Sequence, residues 1–551
     1  MNGADLIAKI LKSEGVELLP SFPHSDIIDA AAKVGIRPVI VRQERHAFHI
    51  AEGYSRTLAG AKTPCVTVQY GPGSENAAGA VTQCYVDNAP VLYMPGGYER
   101  PHQGVPCNYS AARNLQNLTK WAETVSVPER LPQMMQNAFA MLRNGRPGPV
   151  MIEVPTDIFT GSVDPELLAL YKPQRQSCPV ADAGELKELL DLLMGATSPV
   201  IVAGQGILYA EATNELVELA ELTQTPVMST QDGKSAFPEN HPLALGCGGN
   251  SRPDMVVHFL NKADVIVGLG TSFTRSNYIT PIPTKGRIFA QLTNWEGDIS
   301  KDYPIDIGVI GEAKASLAAL LKLIKARLAN GTVARSGVVE EVAFIKKTYL
   351  DKWLPLLKSD EEPLNPYRII SELMRVTDPE NTIVTHDAGS PRDQVTAFYE
   401  ATVPHGYMGW GKTTQLGTGL GLIQGAKLAK PQCDCFNIMG DAAIGMTGMD
   451  IETAVRNKIG TTTIVFRNAL MGGYSDYHPT AAEKFKIHEL GGDYADLGRA
   501  LGAYGERVAK AQEIAPALSR AMAENKKGIP AVLEFITKEE ANIPRTLPDL
   551  T

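Results

Sequence analysis

The chain has 551 residues, 44% of them hydrophobic and 21% charged, and a net charge of -9. At roughly 100–200 residues per domain this is material for about three to five domains, and the acidic balance excludes a dedicated nucleic-acid or anionic-membrane surface. The seven cysteines include no CxxC pair, and Cys433 and Cys435 read as core packing, so no disulfide framework is expected and the cytoplasm is the expected compartment.

The opening stretch MNGADLIAKILKSEG is an amphipathic helix without the continuous apolar region of a signal peptide, and no later run is long enough to span a bilayer. Short apolar runs then alternate with helical periods, the pattern of parallel sheets with crossover helices. Strands are expected at 38–41, 63–68, 90–95 and 148–155, with helices over 44–60, 74–86 and 128–144 between them. A polar, proline-bounded linker follows at 171–179. A second series has strands at 198–204 and 263–270 and runs to about residue 328, and a charged helical connector spans 339–358. The third series has strands at 381–387, 433–441, 460–468 and 529–536. The expected architecture is α/β: three doubly wound parallel-sheet domains over 1–170, 181–330 and 360–551.

In such sheets anions gather where strands end and helices begin, because free backbone N–H groups and the helix dipole favour them there. Ile438-Met439-Gly440-Asp441-Ala442-Ala443 ends a buried strand with a glycine and a carboxylate and leads into a helix over 447–456. The next strand ends at Phe466-Arg467-Asn468, with Gly472 just beyond. Neighbouring parallel strands would bring Asp441 and Asn468 together. Hard oxygen ligands with one formal charge suit Mg²⁺, which fills its shell with water and phosphate, and the Leu470 carbonyl is a third candidate ligand. The plainer alternative is that Asp441 caps its helix and Asn468 closes a turn.

The run GDAAIGMTGMDIETAVRNKIGTTTIVFRN resembles the cofactor motif of the thiamine-diphosphate (ThDP) enzymes, in particular the acetolactate synthase, benzoylformate decarboxylase and oxalyl-CoA decarboxylase group. Ala442 stands where that motif has a second glycine, and Arg467 where it has the first of two asparagines. A second stretch, from Glu44 to Arg56, resembles the family's E-x-x-A-x-x-x-A-x-G-Y-x-R segment, whose glutamate activates the cofactor's aminopyrimidine. The resemblance implies that role for Glu44. Tyr70 to Asn76 is similar to the family's SGPGxxN loop. Leu416 to Lys427 is similar to the helix whose first residue lies under the bent cofactor. That places Leu416 beneath the rings, the Thr414 carbonyl at the aminopyrimidine, and Gly389 and Ser390 at the far phosphate. Gly440, Asp441, Ala442, Ala443, Asn468 and Gly472 then surround the diphosphate and metal. The domain order implied is pyrimidine-binding, central, diphosphate-binding. The family also implies a homodimer or homotetramer with active sites at the dimer interface, Glu44 and Asp441 coming from different chains.

The shared chemistry is cleavage or formation of a C–C bond next to a carbonyl, and the expected activity is acetolactate synthase-like decarboxylation or carboligation of a 2-oxo acid. Substrate-side candidates are His24 and Ser25 in the loop after the first strand, Gln69 and Tyr70, and Tyr474, Tyr477 and His478 after the metal loop. His24 is a proton carrier by type, with an unperturbed pKa of about 6.5. Pro106-Cys107-Asn108 replaces the Phe-Gln-Glu of acetolactate synthases, and the GDxAxGxxGMxIET wording leans toward a 2-hydroxyacyl-CoA lyase or oxalyl-CoA decarboxylase, the alternative reading. The end PRTLPDLT lacks that branch's basic tail. FAD or ADP in the central domain is disfavoured, because Gln291-Leu-Thr-Asn294 replaces the acidic strand end that would read a ribose. Gly406-Tyr-Met-Gly-Trp-Gly411-Lys412-Thr413 matches the P-loop pattern, but a turn-like stretch precedes it where a P-loop needs a buried strand, so an NTPase is the remote alternative.

Overall fold

The computed structural model describes residues 1–328, 335–472, 474 and 477–550. They form three parallel sheets, each wrapped in helices. The first orders the strands Arg37–Ile40, Leu18–Ser21, Cys65–Val66, Leu92–Tyr93 and Val150–Pro155, joined between the second and third by the Ser21–Thr67 bridge. Trp121–Thr124 and Gly96–Gly97 also pair with Val150–Pro155. The second sheet runs Ala244–Gly248, Val227–Thr230, Pro199–Ala203, Val265–Leu269, Ile288–Thr293, Ile307–Ile310. The third runs Tyr407–Met408, Thr382–His386, Asp434–Gly440, Thr462–Arg467, Ala531–Ile536, Tyr504–Val508. Central strands such as Val150–Pro155 and Thr382–His386 are buried at every residue, which is why they read as unbroken apolar runs.

In the third sheet the chain leaves Thr382–His386 for the edge strand Tyr407–Met408 and returns on the other side as Asp434–Gly440. The strand order therefore reverses between Thr382–His386 and Asp434–Gly440. A crevice opens at the carboxyl ends of such a pair, and the helices Ser390–Phe398 and Asp441–Thr447 begin on it. The helix expected over 447–456 starts earlier, at Asp441, breaks at a 3₁₀ turn over Gly448–Asp450 and resumes as Ile451–Asn457.

The first and third units meet through the helices Glu44–Thr57 and Thr418–Ala429, which approach too closely for side chains between them. A Cβ on Gly53 would lie 2.0 Å from the Leu422 carbonyl oxygen, one on Gly425 2.1 Å from that of Ile50, and one on Gly421 2.3 Å from His49 Cβ. Glycine is required at these contacts by space, since none of the three has a positive φ.

Candidate active site

The crevice of the third sheet carries a cavity of roughly 1390 Å³ including its mouth, lined by Gly440, Asp441, Ala442, Ala443, Asn468 and Leu470. Gly389, Ser390, Thr414, Leu416 and Gly472 complete the same wall, so every diphosphate-side residue singled out from the sequence lies on one surface. Strand pairing explains the central contact. Gly440 is in register with Phe466, so Asp441 and the residues after Arg467 leave adjacent strands at the same level. The Asp441 carboxylate accepts the backbone N–H groups of Asn468 at 3.0 Å and Ala469 at 3.1 Å, and Asn468 Oδ1 accepts the Leu470 N–H at 3.0 Å.

Burial pushes the Asp441 carboxyl above its ordinary range, opposed by the Asn468 N–H, the Tyr494 hydroxyl and the Ala469 N–H. A buried carboxylate driven toward its neutral form is relieved by a cation, and with the Asn468 amide oxygen it forms an all-oxygen donor set suited to Mg²⁺. No group of three or more His, Cys, Asp or Glu side chains among the described residues could hold a metal by itself. A cation at Asp441 would thus take the rest of its shell from water and phosphate. The donors present fit both the ion and a diphosphate.

The turn bearing Thr414 and Leu416 is organised by a residue whose role the sequence hid. Asp387 is fully buried, and its two oxygens accept the N–H groups of Gly417 and Gly419, each at 2.9 Å. Burial raises its pKa to about 6, against the N–H groups of Gly417, Ala388 and Gly419 and the charge of Arg45. The signal available in sequence was an acid directly after a buried strand; its partners lie 30 and 32 residues further on.

Glu44 opens the helix Glu44–Thr57, is 6% exposed and accepts the Asn76 amide at 3.2 Å. His24, Ser25 and Tyr70 line a second cavity, of roughly 1270 Å³, on the first unit. Ser25 Oγ lies 2.9 Å from Thr67 Oγ1, the rings of His24 and Tyr70 are 6.0 Å apart, and Gln69 is half-buried beside them. The diphosphate cavity is not lined by Glu44, His24, Ser25 or Tyr70. The two sets of residues thus line separate cavities of one chain, and Glu44 lines neither. Tyr474 and His478 stand at the mouth of the diphosphate cavity, and Tyr477 is exposed beside them.

A third cavity, of roughly 1490 Å³, lies where the second unit meets the first, around Gly204, Gly206, Gly270 and Asn294 and against Gly60 and Arg146. At the strand end that would read a ribose, the Asn294 amide donates to the Gly145 carbonyl and Thr293 Oγ1 to Asp298, which is already paired with Arg146 and Lys301. The P-loop-like segment is engaged with the second unit. Lys412 pairs with the buried Asp232 at 2.5 Å, and a Cβ on Gly409 would sit 1.9 Å from the Gln231 carbonyl oxygen. Its glycines and lysine lock the third unit onto the second.

Three parallel α/β units, with an oxygen-donor diphosphate crevice at the switch point of the third and a buried glutamate on the first, define a cofactor-dependent enzyme. Residues 1–123 match the thiamine pyrophosphate enzyme N-terminal TPP binding domain, 186–320 the central domain and 387–535 the C-terminal TPP binding domain. The chain belongs to the thiamine pyrophosphate enzyme family. It is 27% identical to the probable acetolactate synthase large subunit of Methanocaldococcus jannaschii, over 100% of this chain and 94% of that protein. It is likewise 27% identical to the protein of that name in Methanococcus aeolicus, over 95% and 90% of the two chains, and 26% identical to the acetolactate synthase of Mycobacterium bovis, over 98% and 89%. No helix among the described residues is long and apolar enough to cross a membrane.

Proposed function

We propose that the protein binds ThDP with Mg²⁺ and catalyses decarboxylation and carboligation of a 2-oxo acid, in the manner of the acetolactate synthases it resembles over its whole length. The observation that carries the reading is the single wall formed by Asp441, Asn468, Ser390, Thr414 and Leu416 at the switch point of the third sheet. Asp441, Asn468 and the Leu470 carbonyl hold the cation, while Gly389, Ser390, Gly440, Ala442, Ala443 and Gly472 line the path of the diphosphate. When bound, ThDP supplies a nucleophilic carbon and a sink for the electron pair released as the C–C bond breaks. Leu416 would support the bound cofactor, the Thr414 carbonyl would accept from its aminopyrimidine, and Glu44, which accepts the Asn76 amide, would hold a proton for the ring nitrogen.

His24, Ser25, Gln69 and Tyr70 face the substrate: Ser25 hydrogen-bonds a carboxylate, Gln69 orients a carbonyl, and His24 or Tyr70 moves protons. The separation of the two cavities supports a homodimer, or a pair of dimers, in which Glu44 of one copy meets Asp441 of the other. The three sheets support the proposed division at 1–170, 181–330 and 360–551, and the cytoplasm is the proposed compartment.

The test is a donor panel of 2-oxo acids and 2-hydroxyacyl-CoA thioesters, with CO₂ and product detection in the presence of ThDP and Mg²⁺. Release of CO₂ from a 2-oxo acid with a condensed product is expected, and it should vanish in Glu44→Gln while ThDP still binds. Unchanged turnover in Glu44→Gln, or failure of the purified protein to bind ThDP, overturns the reading. Cleavage of the thioesters alone would transfer it to the lyase alternative.

A further inference from the structure

The residue after Glu44 has a task of its own. Arg45 reaches out of the Glu44–Thr57 helix to the third unit of the same chain, where its Nη2 donates to the Leu416 carbonyl at 2.5 Å. Burial lowers the guanidinium's pKa, and the charges of Asp387 and Asp450 oppose that loss. The same peptide group is held from its other end, where the Gly417 N–H donates to Asp387 Oδ1 at 2.9 Å, and the following carbonyl, that of Gly417, accepts from Thr447 Oγ1 at 2.9 Å. Gly417 itself has a φ of +90°, and a Cβ there would lie 2.9 Å from Arg45 Nη2 and 2.7 Å from Thr447 Cγ2, so the turn leaves no room for a side chain at this position. One helical turn further along, His49 Nε2 lies 3.0 Å from Gln415 Oε1. The peptide group that follows Leu416 is therefore fixed at both ends, its carbonyl by a cation from the first unit and its N–H by an anion from the third. Leu416 and Thr414 line the cavity that holds Asp441, whereas Glu44 does not line it.

We propose that the Glu44–Thr57 helix serves two cofactor sites at once: Glu44 acts in the site completed by a second copy of the chain, and Arg45 positions Leu416 in the site of its own chain. The inference rests on the reading above for Glu44, and it adds Arg45 as a positioning residue. Consecutive residues leave a helix about 100° apart, which lets one helix start address two different surfaces. A charge-assisted hydrogen bond to a buried carbonyl is lost in Arg45→Leu, so retention of ThDP weakens about tenfold. Arg45→Lys keeps a cationic donor and recovers most of it, which a merely structural filler would not require.

The decisive experiment uses hybrid dimers, made by co-expressing two differently tagged copies, and follows exchange of the C2 proton of bound ThDP into D₂O. A Glu44→Gln copy paired with an Asp441→Asn copy contains one intact site only if Glu44 crosses between copies, and should give about half the wild-type amplitude of fast exchange. A Glu44→Gln copy paired with an Arg45→Leu copy should do the same. Both substitutions on one copy, paired with wild type, should leave no intact site and little fast exchange at a ThDP concentration that fills intact sites but not those weakened about tenfold. Loss of exchange in the first hybrid sinks the crossing of Glu44 and the two-site inference with it. A normal first hybrid with equal amplitudes in the other two refutes the role of Arg45 alone. Should Arg45→Leu not assemble, Arg45→Gln, which keeps a donor without the charge, replaces it in the same hybrids with the same expected pattern.

Discussion

The close helix crossing yields the sharpest prediction: Gly53→Ala, where the Glu44–Thr57 and Thr418–Ala429 helices meet. In an isolated helix this change is favourable, since alanine exceeds glycine by about 1 kcal/mol in helix propensity. Here the new Cβ would lie 2.0 Å from the Leu422 carbonyl oxygen and 2.7 Å from its carbon, both backbone atoms with no rotamer to adopt. Real Cβ atoms essentially never come under 3.0 Å, so the helices must part by about 1 Å (3.0 − 2.0). A gap of 0.5–1 Å forfeits roughly a quarter to a half of each dispersion contact along the crossing, and overpacking of this kind costs about 1–3 kcal/mol. The clash is with backbone, which places the cost at the upper end and leaves a net loss of about 2 kcal/mol after the propensity gain. At about 2–4 °C per kcal/mol for a domain of this size, the thermal midpoint should fall by roughly 4–8 °C in calorimetry. ThDP binding should weaken too, because the same helix starts at Glu44 and Arg45. Gly195→Ala is the control: it lies in the helix Ala183–Gly195 with nothing within 4 Å of its added Cβ, and it should leave the midpoint unchanged or slightly raised. If Gly53→Ala raises the midpoint as the control does, the close-packing account of this interface is wrong.

Three further outcomes follow from the charged groups. Asp387 has a pKa of about 6, above the 3.8 of an unperturbed carboxyl, so the folded chain binds its proton more tightly than the unfolded one. Its contribution to stability is accordingly present below about pH 3.8 and lost as pH rises through about 6, and Asp387→Asn should flatten the change in thermal midpoint across that window. Lys412→Ala should leave Asp232 buried without its partner and cost about 3–5 kcal/mol in chemical denaturation, with no nucleotide hydrolysis in either protein to lose. Asp441→Ala, or treatment with EDTA, should abolish Mg²⁺-dependent ThDP binding in titration calorimetry, and retention of tight binding would remove the cation from this site.

Much of the candidate site is legible in the chain because it is built where strands end. A buried strand needs an apolar run, the next residue meets a helix N-terminus, and both facts are local; Gly440, Asp441 and Asn468 can be read from them directly. Register in a parallel sheet then brings Asp441 and Asn468 together, which needs only that their strands be neighbours, as the pairing of Gly440 with Phe466 makes them. The short edge strands were harder to see. Ile307–Ile310 and Tyr504–Val508 bury one face only, and so lack the continuous apolar signature of the strands they flank.

The sequence alone, then, determines the three α/β units and sets Gly440 and Asp441 at a strand end, because periodicity, glycine placement and strand-end chemistry act over a few residues; Glu44 stands out only through the resemblance of its segment to the family's. Tertiary structure decides how distant segments share work. It sets Arg45 on Leu416, 371 residues away, and gathers Gly417 and Gly419 around Asp387. It turns a P-loop-like run into an ion-paired seam through Asp232 and Lys412, and it keeps Glu44 off the surface that holds Asp441. Each of these depends on which helices pack and how closely, and glycines at Gly53, Gly421 and Gly425 permit that approach without announcing their partners.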